Sequence, residues 1–81
     1  MNDLKDVVVM RIKQLCAERG TNANALANIS GITPSTVYSL LDKSRKEVQL
    51  RTIKILCDGF DMTLAEFFNT DEFNNLEQEI K

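Results

Sequence analysis

The stretch LANISGITPSTVYSLL, residues 26–41, contains two helical patterns separated by a short break. The first pattern ends at Gly31, and the second begins after Thr33, with Pro34 as its first residue. Glycine accepts the left-handed backbone that ends many helices, and proline suits the first helical position because an N–H there would have no partner. Two short helices joined by a short turn containing glycine form a helix-turn-helix. The stretch therefore predicts this motif.

The rest of the chain also has helical spacing of its apolar residues, and we predict no β-strand. The predicted helices cover about residues 4–19, 23–30 and 34–42, followed by a fourth from Leu50 that Gly59 ends and a fifth capped by Thr63. Residues 70–81 are acidic, and their apolar residues favour a short sixth helix or a partly ordered arm. We therefore predict an all-α protein with one compact five-helix domain, residues 1–69, and an acidic tail, residues 70–81.

Composition excludes several classes of function. The chain has 81 residues and no histidine, the commonest general base and metal ligand. Its two cysteines, Cys16 and Cys57, lie in apolar helical patterns and are expected to be buried free thiols. No apolar run approaches the roughly 20 residues of a membrane span, and the N-terminus does not resemble a signal peptide. We expect a cytoplasmic protein with no catalytic activity, no metal or cofactor, no membrane partner and no evident small-molecule ligand.

Charge is distributed unevenly along the chain. Residues 1–57 carry nine Lys or Arg against five Asp or Glu, whereas residues 58–81 carry seven acids and only Lys81. The first part can therefore face a polyanion, although an ordinary mixed surface with an acidic tail would have the same composition. The loop KSRK, residues 43–46, directly follows the second helix of the motif. It is the most basic segment in the first part of the chain.

Two segments resemble the Cro/repressor-type (Xre-like) helix-turn-helix family. The first contains Leu26-Ala27, Gly31-Ile32-Thr33 and Ser35-Thr36-Val37, and the second is TIKILCDGFDMTLAEFF, residues 52–68. The resemblance runs from Asn22 to about Phe68, which is more than half of the chain. The resemblance implies a lambda-repressor-like domain with the helix-turn-helix in helices 2 and 3. It also implies sequence-specific binding to a double-stranded DNA operator, commonly as a homodimer that represses transcription.

The resemblance also assigns roles to individual residues. The outward face of the third helix would enter the major groove and contact bases, through Thr33, Ser35, Thr36, Tyr38 and Ser39. The start of the second helix and the basic loop would contact phosphates, through Asn22, Ala23, Asn24, Lys43, Arg45 and Lys46. The dimer interface would involve the end of the domain and the tail, through Phe68, Phe73, Leu76 and Ile80. The tail could instead pack on its own domain or be disordered.

The sequence departs from this family at three places. Ala23 replaces a common glutamine at the first position of the second helix, and Cys16 and Leu41 occupy positions where many members have an Arg–Glu pair. Replacing a buried ion pair by apolar packing is often neutral or stabilising. The third helix has no Arg, Asn or Gln, the strongest readers of bases, so we expect modest direct readout supplemented by DNA shape.

A second interpretation stays open at this point. The same fold could serve as a protein-interaction module, of an antitoxin-like or anti-repressor kind, with little DNA binding. The overall acidity and the absent base readers favour this alternative, whereas the basic loop after the third helix favours DNA binding.

Overall fold

The computed structural model describes residues 3–80 and contains six α-helices in this part of the chain. The helices are α1 (Leu4–Glu18), α2 (Ala23–Ser30), α3 (Pro34–Leu41), α4 (Leu50–Gly59), α5 (Leu64–Phe68) and α6 (Asp71–Asn74). Residues 3–80 include no strand, so the predicted all-α class is confirmed. The turn between α2 and α3 is the predicted helix-turn-helix break.

Most helix ends have the local signals that the sequence indicates. Asp3 and Asp6 form a reciprocal capping box at the start of α1, and Thr63 and Glu66 form another at the start of α5. Gly20 and Gly31 follow α1 and α2 with φ values of 62° and 74°. Both lie in the left-handed region, where a side chain would be strained. The chain therefore turns sharply at the two places where helix packing requires it.

α4 ends at Gly59, as the sequence predicts, but Gly59 does not supply the left-handed backbone at this helix end. Gly59 is the last helical residue, and the left-handed position belongs to Asp61, with φ 58°. The amide of Met62 then donates to the carbonyl of Cys57 at 2.9 Å, which closes the helix end. Gly59 has a different function: a Cβ at this position would lie 2.1 Å from Oγ of Ser30 in α2. The absent side chain allows α2 and α4 to approach each other.

The core lies between α1, the two motif helices, α4 and α5. Its buried members are Val8, Ile12, Leu15, Leu26, Ala27, Val37, Leu40, Ile53, Leu56, Cys57, Phe60 and Phe67. Ala27 and Val37 are completely buried, one from each helix of the motif. The inner face of α3 therefore packs in the core, and the opposite face of this helix is exposed to solvent. Cys57 is buried and Cys16 half-buried, and both are free thiols.

The tail begins as part of the same packed structure. Thr70 caps α6 by accepting from the amide of Phe73 at 3.3 Å. The ring of Phe73 lies 4.9 Å from that of Phe68 and 6.0 Å from that of Phe67, centroid to centroid. α6 packs against α1 and ends at Asn74. The predicted short sixth helix is thus present, but the apolar spacing beyond it does not continue as helix.

Candidate nucleic-acid interface

The outer face of α3 is a row of exposed polar side chains. Val37 and Leu40 are buried, whereas the residues between and before them point to solvent. All five predicted base-contacting residues are exposed, namely Thr33, Ser35, Thr36, Tyr38 and Ser39. Tyr38 is the largest of them and is 53% exposed. The helix therefore presents hydroxyl groups and one aromatic ring as a continuous surface.

Three hydroxyl groups form a cluster at the start of α3. Thr33 occupies the N-cap position, but its side chain does not bond to a helix amide. Its Oγ1 instead lies 3.0 Å from Oγ of Ser35 and 3.0 Å from Oγ1 of Thr36. A hydroxyl both donates and accepts, so this cluster can exchange its internal hydrogen bonds for bonds to a base edge or a phosphate.

The start of α2 lies on the other side of the turn. Oδ1 of Asn22 accepts from the amide of Ala25 at 2.9 Å, which leaves the side-chain NH2 as a donor. Asn22 and Asn24 are exposed, and Ala23 is half-buried against the core. Ala23 can therefore contact a phosphate only through its backbone, while the two asparagines offer side-chain donors.

Cys16 and Leu41 line one apolar cavity with Ala23 and Val37. The cavity has a volume of about 340 Å³ and opens between α1 and the helix-turn-helix. Burial raises the pKa of the Cys16 thiol, which therefore stays protonated near neutral pH. The two positions that replace the family's ion pair thus line the same cavity, which is consistent with their exchange for apolar residues.

The basic loop between α3 and α4 is exposed, and each of its three cations is paired with a carboxylate outside the loop. Lys46 pairs with Asp3 at 2.9 Å, Lys43 with Asp6 at 3.9 Å, and Arg45 with Asp42 at 3.7 Å. Each of the three cationic side chains remains more than half exposed. They are accessible to a phosphate, but a phosphate must compete with a carboxylate for each of them.

Hydrogen bonds shift the pKa values of three of these charged groups. The amide of Asp6 and the ammonium of Lys46 lower the pKa of Asp3, and the bond to Asp3 raises the pKa of Lys46. The hydroxyl and amide of Ser44 lower the pKa of Asp42. The groups are therefore fully ionised near neutral pH. Asp3 and Asp6 could not be identified from the sequence, because nothing in the local pattern links the first turn of α1 to a loop about 40 residues later.

A groove of about 340 Å³ joins the outer face of α3 to the loop. It brings together Thr36, Ser39 and Arg45, which the sequence predicts as base and phosphate contacts. Gln49 and Thr52 also line the groove and were not predicted. Both follow the loop at the start of α4, and their polar character beside a basic loop is the signal that could have identified them. Glu47 also lines this groove.

The four predicted dimer residues have different environments. Phe68 and Phe73 pack against the protein's own core, and their rings contact each other. Leu76 is half-buried, and Ile80 is 89% exposed. The tail therefore contributes partly to its own domain and partly to the surface.

Two other kinds of feature are absent from residues 3–80. This part of the chain has no cluster of His, Cys, Asp or Glu arranged to hold a metal ion. None of its helices combines the length and the apolar character needed to cross a membrane.

An all-α domain whose glycine-containing turn presents an exposed polar helix beside a basic loop is a helix-turn-helix protein. The model of the Cro/C1-type HTH DNA-binding domain matches residues 11–72, which is most of the chain. The chain belongs to this family. Its fold is also similar to the crystal structure of the prophage Lp1 protein 11, with a TM-score of 0.82 and 21% identity over 94% of this chain and 100% of that one. No curated protein sequence matches the chain.

Proposed function

We propose that this DNA-binding protein is a sequence-specific transcriptional repressor that acts in the cytoplasm. It inserts the helix over residues 34–42 into the major groove of its operator. The observation that carries the proposal is the exposed row of hydroxyl groups on α3, bordered directly by three accessible cations. In a helix-turn-helix this face meets the base edges, and the flanking segments meet the backbone.

The two kinds of contact have different roles. Thr33, Ser35, Thr36 and Ser39 donate to or accept from base edges, and Tyr38 contacts a thymine methyl through its ring. Hydroxyl groups discriminate among bases less strongly than bidentate side chains, so DNA shape supplies part of the specificity. The backbone contacts come from Asn22, Ala23, Asn24, Lys43, Arg45 and Lys46.

Binding as a homodimer is part of the proposal. A dimer would place two copies of α3 about one helical turn of DNA apart, on a palindromic operator. Ile80 is almost fully exposed, and Leu76 is partly so, which supports contact between two tails. Phe68 and Phe73 would then shape the interface from within each subunit.

Binding to random-sequence duplex DNA across a salt series tests the DNA-binding surface. The comparison is between the wild-type protein and the variant with Lys43, Arg45 and Lys46 changed to Ala. The slope of log K against log salt should fall by about 0.9 for each phosphate that the variant no longer neutralises. Lys54→Ala is the matched control, since Lys54 is also exposed and paired with an aspartate, Asp58, but lies on α4. Its slope should not change.

Two further experiments test the separate roles of the base contacts and the phosphate contacts. In a selection from random DNA, Ser39→Ala should change which sequences are bound, whereas Lys46→Ala should weaken binding to all sequences alike. A folded wild-type protein that does not bind DNA even at low salt would contradict the proposal. That outcome would favour the protein-interaction module, with the tail as the first surface to test for a partner.

A further inference from the structure

The side chain of Lys5 is buried, and its ammonium group, which keeps some contact with solvent, has no ion-pair partner among the described residues. It lies in the first turn of α1, is 2% exposed, and is the one charged residue of the described part of the chain with so little exposure. No ion pair or hydrogen bond of its ammonium group occurs within residues 3–80. A lysine with this burial is rare unless it is paired.

Three features make a positive charge unfavourable at this position of the free protein. Burial removes part of the water around the ammonium group and lowers the pKa of Lys5, although Asp42 partly opposes this effect. The start of a helix carries a partial positive charge that repels cations. Arg45 and Lys46 are close enough to disfavour the charged form as well. A methionine of similar length would satisfy the packing without these costs.

The residues around Lys5 indicate where a counter-ion for its charge could bind. Asp3 and Asp6, on either side of it in the chain, pair with Lys46 and Lys43 of the basic loop. The first turn of α1 therefore lies directly against the loop. Each cation of the loop has a carboxylate partner, whereas Lys5, beneath the same junction, has none.

We propose that a DNA phosphate supplies the missing counter-ion of Lys5. The phosphate seats at the junction between the first turn of α1 and the basic loop, and replaces Asp3 as the partner of Lys46. Its negative charge then lies over the ammonium group of Lys5. This inference rests on the proposed DNA-binding function and adds a contact from α1, outside the helix-turn-helix.

Lys5→Met separates this role from a structural one, because the two expected effects have opposite signs. The thermal midpoint of the free protein should rise, on the order of 5 °C, because a partly desolvated charge without a partner is removed. Affinity for a random-sequence duplex at low salt should fall about three- to tenfold, and the salt slope should decrease by about 0.9. Lys5→Gln, which keeps a polar side chain without the charge, should show the same decrease in affinity and slope.

Lys54→Met is the control, since it removes an exposed charge that has an aspartate partner on its own helix. It should leave the salt slope unchanged. If the wild-type protein binds DNA and both Lys5 variants bind with the same affinity and slope, the inference about Lys5 is wrong and the proposed function stands. If the wild-type protein does not bind duplex DNA at low salt, both are wrong.

Discussion

The guanidinium group of Arg11 caps the end of α5 by donating from Nε to the main-chain oxygen of Phe67 at 2.8 Å. Its Nη2 also donates to the main-chain oxygen of Glu66 at 2.9 Å. α5 has only five residues, so its last carbonyl groups have no partner within the helix. Arg11 supplies that partner from α1 and thereby fixes the helix that carries the aromatic cluster.

Arg11→Lys should lower the free energy of unfolding by about 1–2 kcal/mol, because one ammonium cannot reproduce the forked donation to two carbonyl groups. Thermal and urea unfolding would measure the change. Arg51→Lys, an exposed change on α4, is the control and should stay within about 0.5 kcal/mol. Equal stability of the Arg11 variant and the control would mean that the cap contributes nothing.

Asp3→Asn should tighten DNA binding about two- to fivefold, because it frees Lys46 from its competing carboxylate. Asparagine is as good an N-cap as aspartate, so α1 should remain folded. Fluorescence anisotropy with a labelled duplex would measure the change. Asp58→Asn, which breaks the Lys54 pair on α4, should not alter affinity beyond the small effect of net charge. Unchanged affinity for the Asp3 variant would show that this carboxylate does not compete with phosphate.

Stability should fall as the pH falls below about 4.5, because three exposed carboxylates have lowered pKa values in the folded protein. For Glu66 the main cause is the hydrogen bond from the amide of Thr63. The unfolded chain binds protons first in this range, so protonation favours unfolding. Glu66→Gln keeps a side-chain oxygen at this position but cannot titrate. Its thermal midpoint should therefore decline less between about pH 5 and pH 3 than that of the wild type. If the thermal midpoints of the variant and the wild type declined equally over this pH range, the explanation would be contradicted.

Gly59→Ala should destabilise the protein by about 1 kcal/mol, because the gain in helix propensity is smaller than the cost of overpacking against Ser30. Oγ of Ser30 is buried there without a hydrogen-bond partner in the described part of the chain. Ser30→Ala alone should therefore be neutral or stabilising. In the Ser30→Ala background the cost of Gly59→Ala should shrink, and a double-mutant cycle would measure this coupling.

The helix-turn-helix could be predicted because its signals are local. Gly31 and Pro34 are sufficient to divide residues 26–41 into two helices, and the residues that face the core determine which residues of α3 face outward. The role of Gly59 could not be predicted in the same way. A glycine near a helix end has the same local pattern whether it ends the helix or admits a neighbouring helix, and only the contact with Ser30 distinguishes the two.

The tail and the basic loop also could be predicted only in part from the sequence. The apolar spacing of residues 73–80 is helical, but a helix needs a surface to cover, and Ile80 is 89% exposed. The three cations of the loop were evident in the sequence, whereas their carboxylate partners on α1 depend on how the chain folds back. The composition of the candidate surface was therefore predictable, but its net charge was not.

The pairing of the basic loop with α1 has a consequence for the kinetics of association. A distant DNA molecule meets three cations that already have carboxylates beside them, so the field of the loop largely cancels beyond a Debye length of about 8 Å. Long-range attraction then contributes little to the encounter rate. The loop acts only once a phosphate is close enough to replace a carboxylate, and the lifetime of the complex, more than the speed of encounter, then distinguishes one DNA sequence from another.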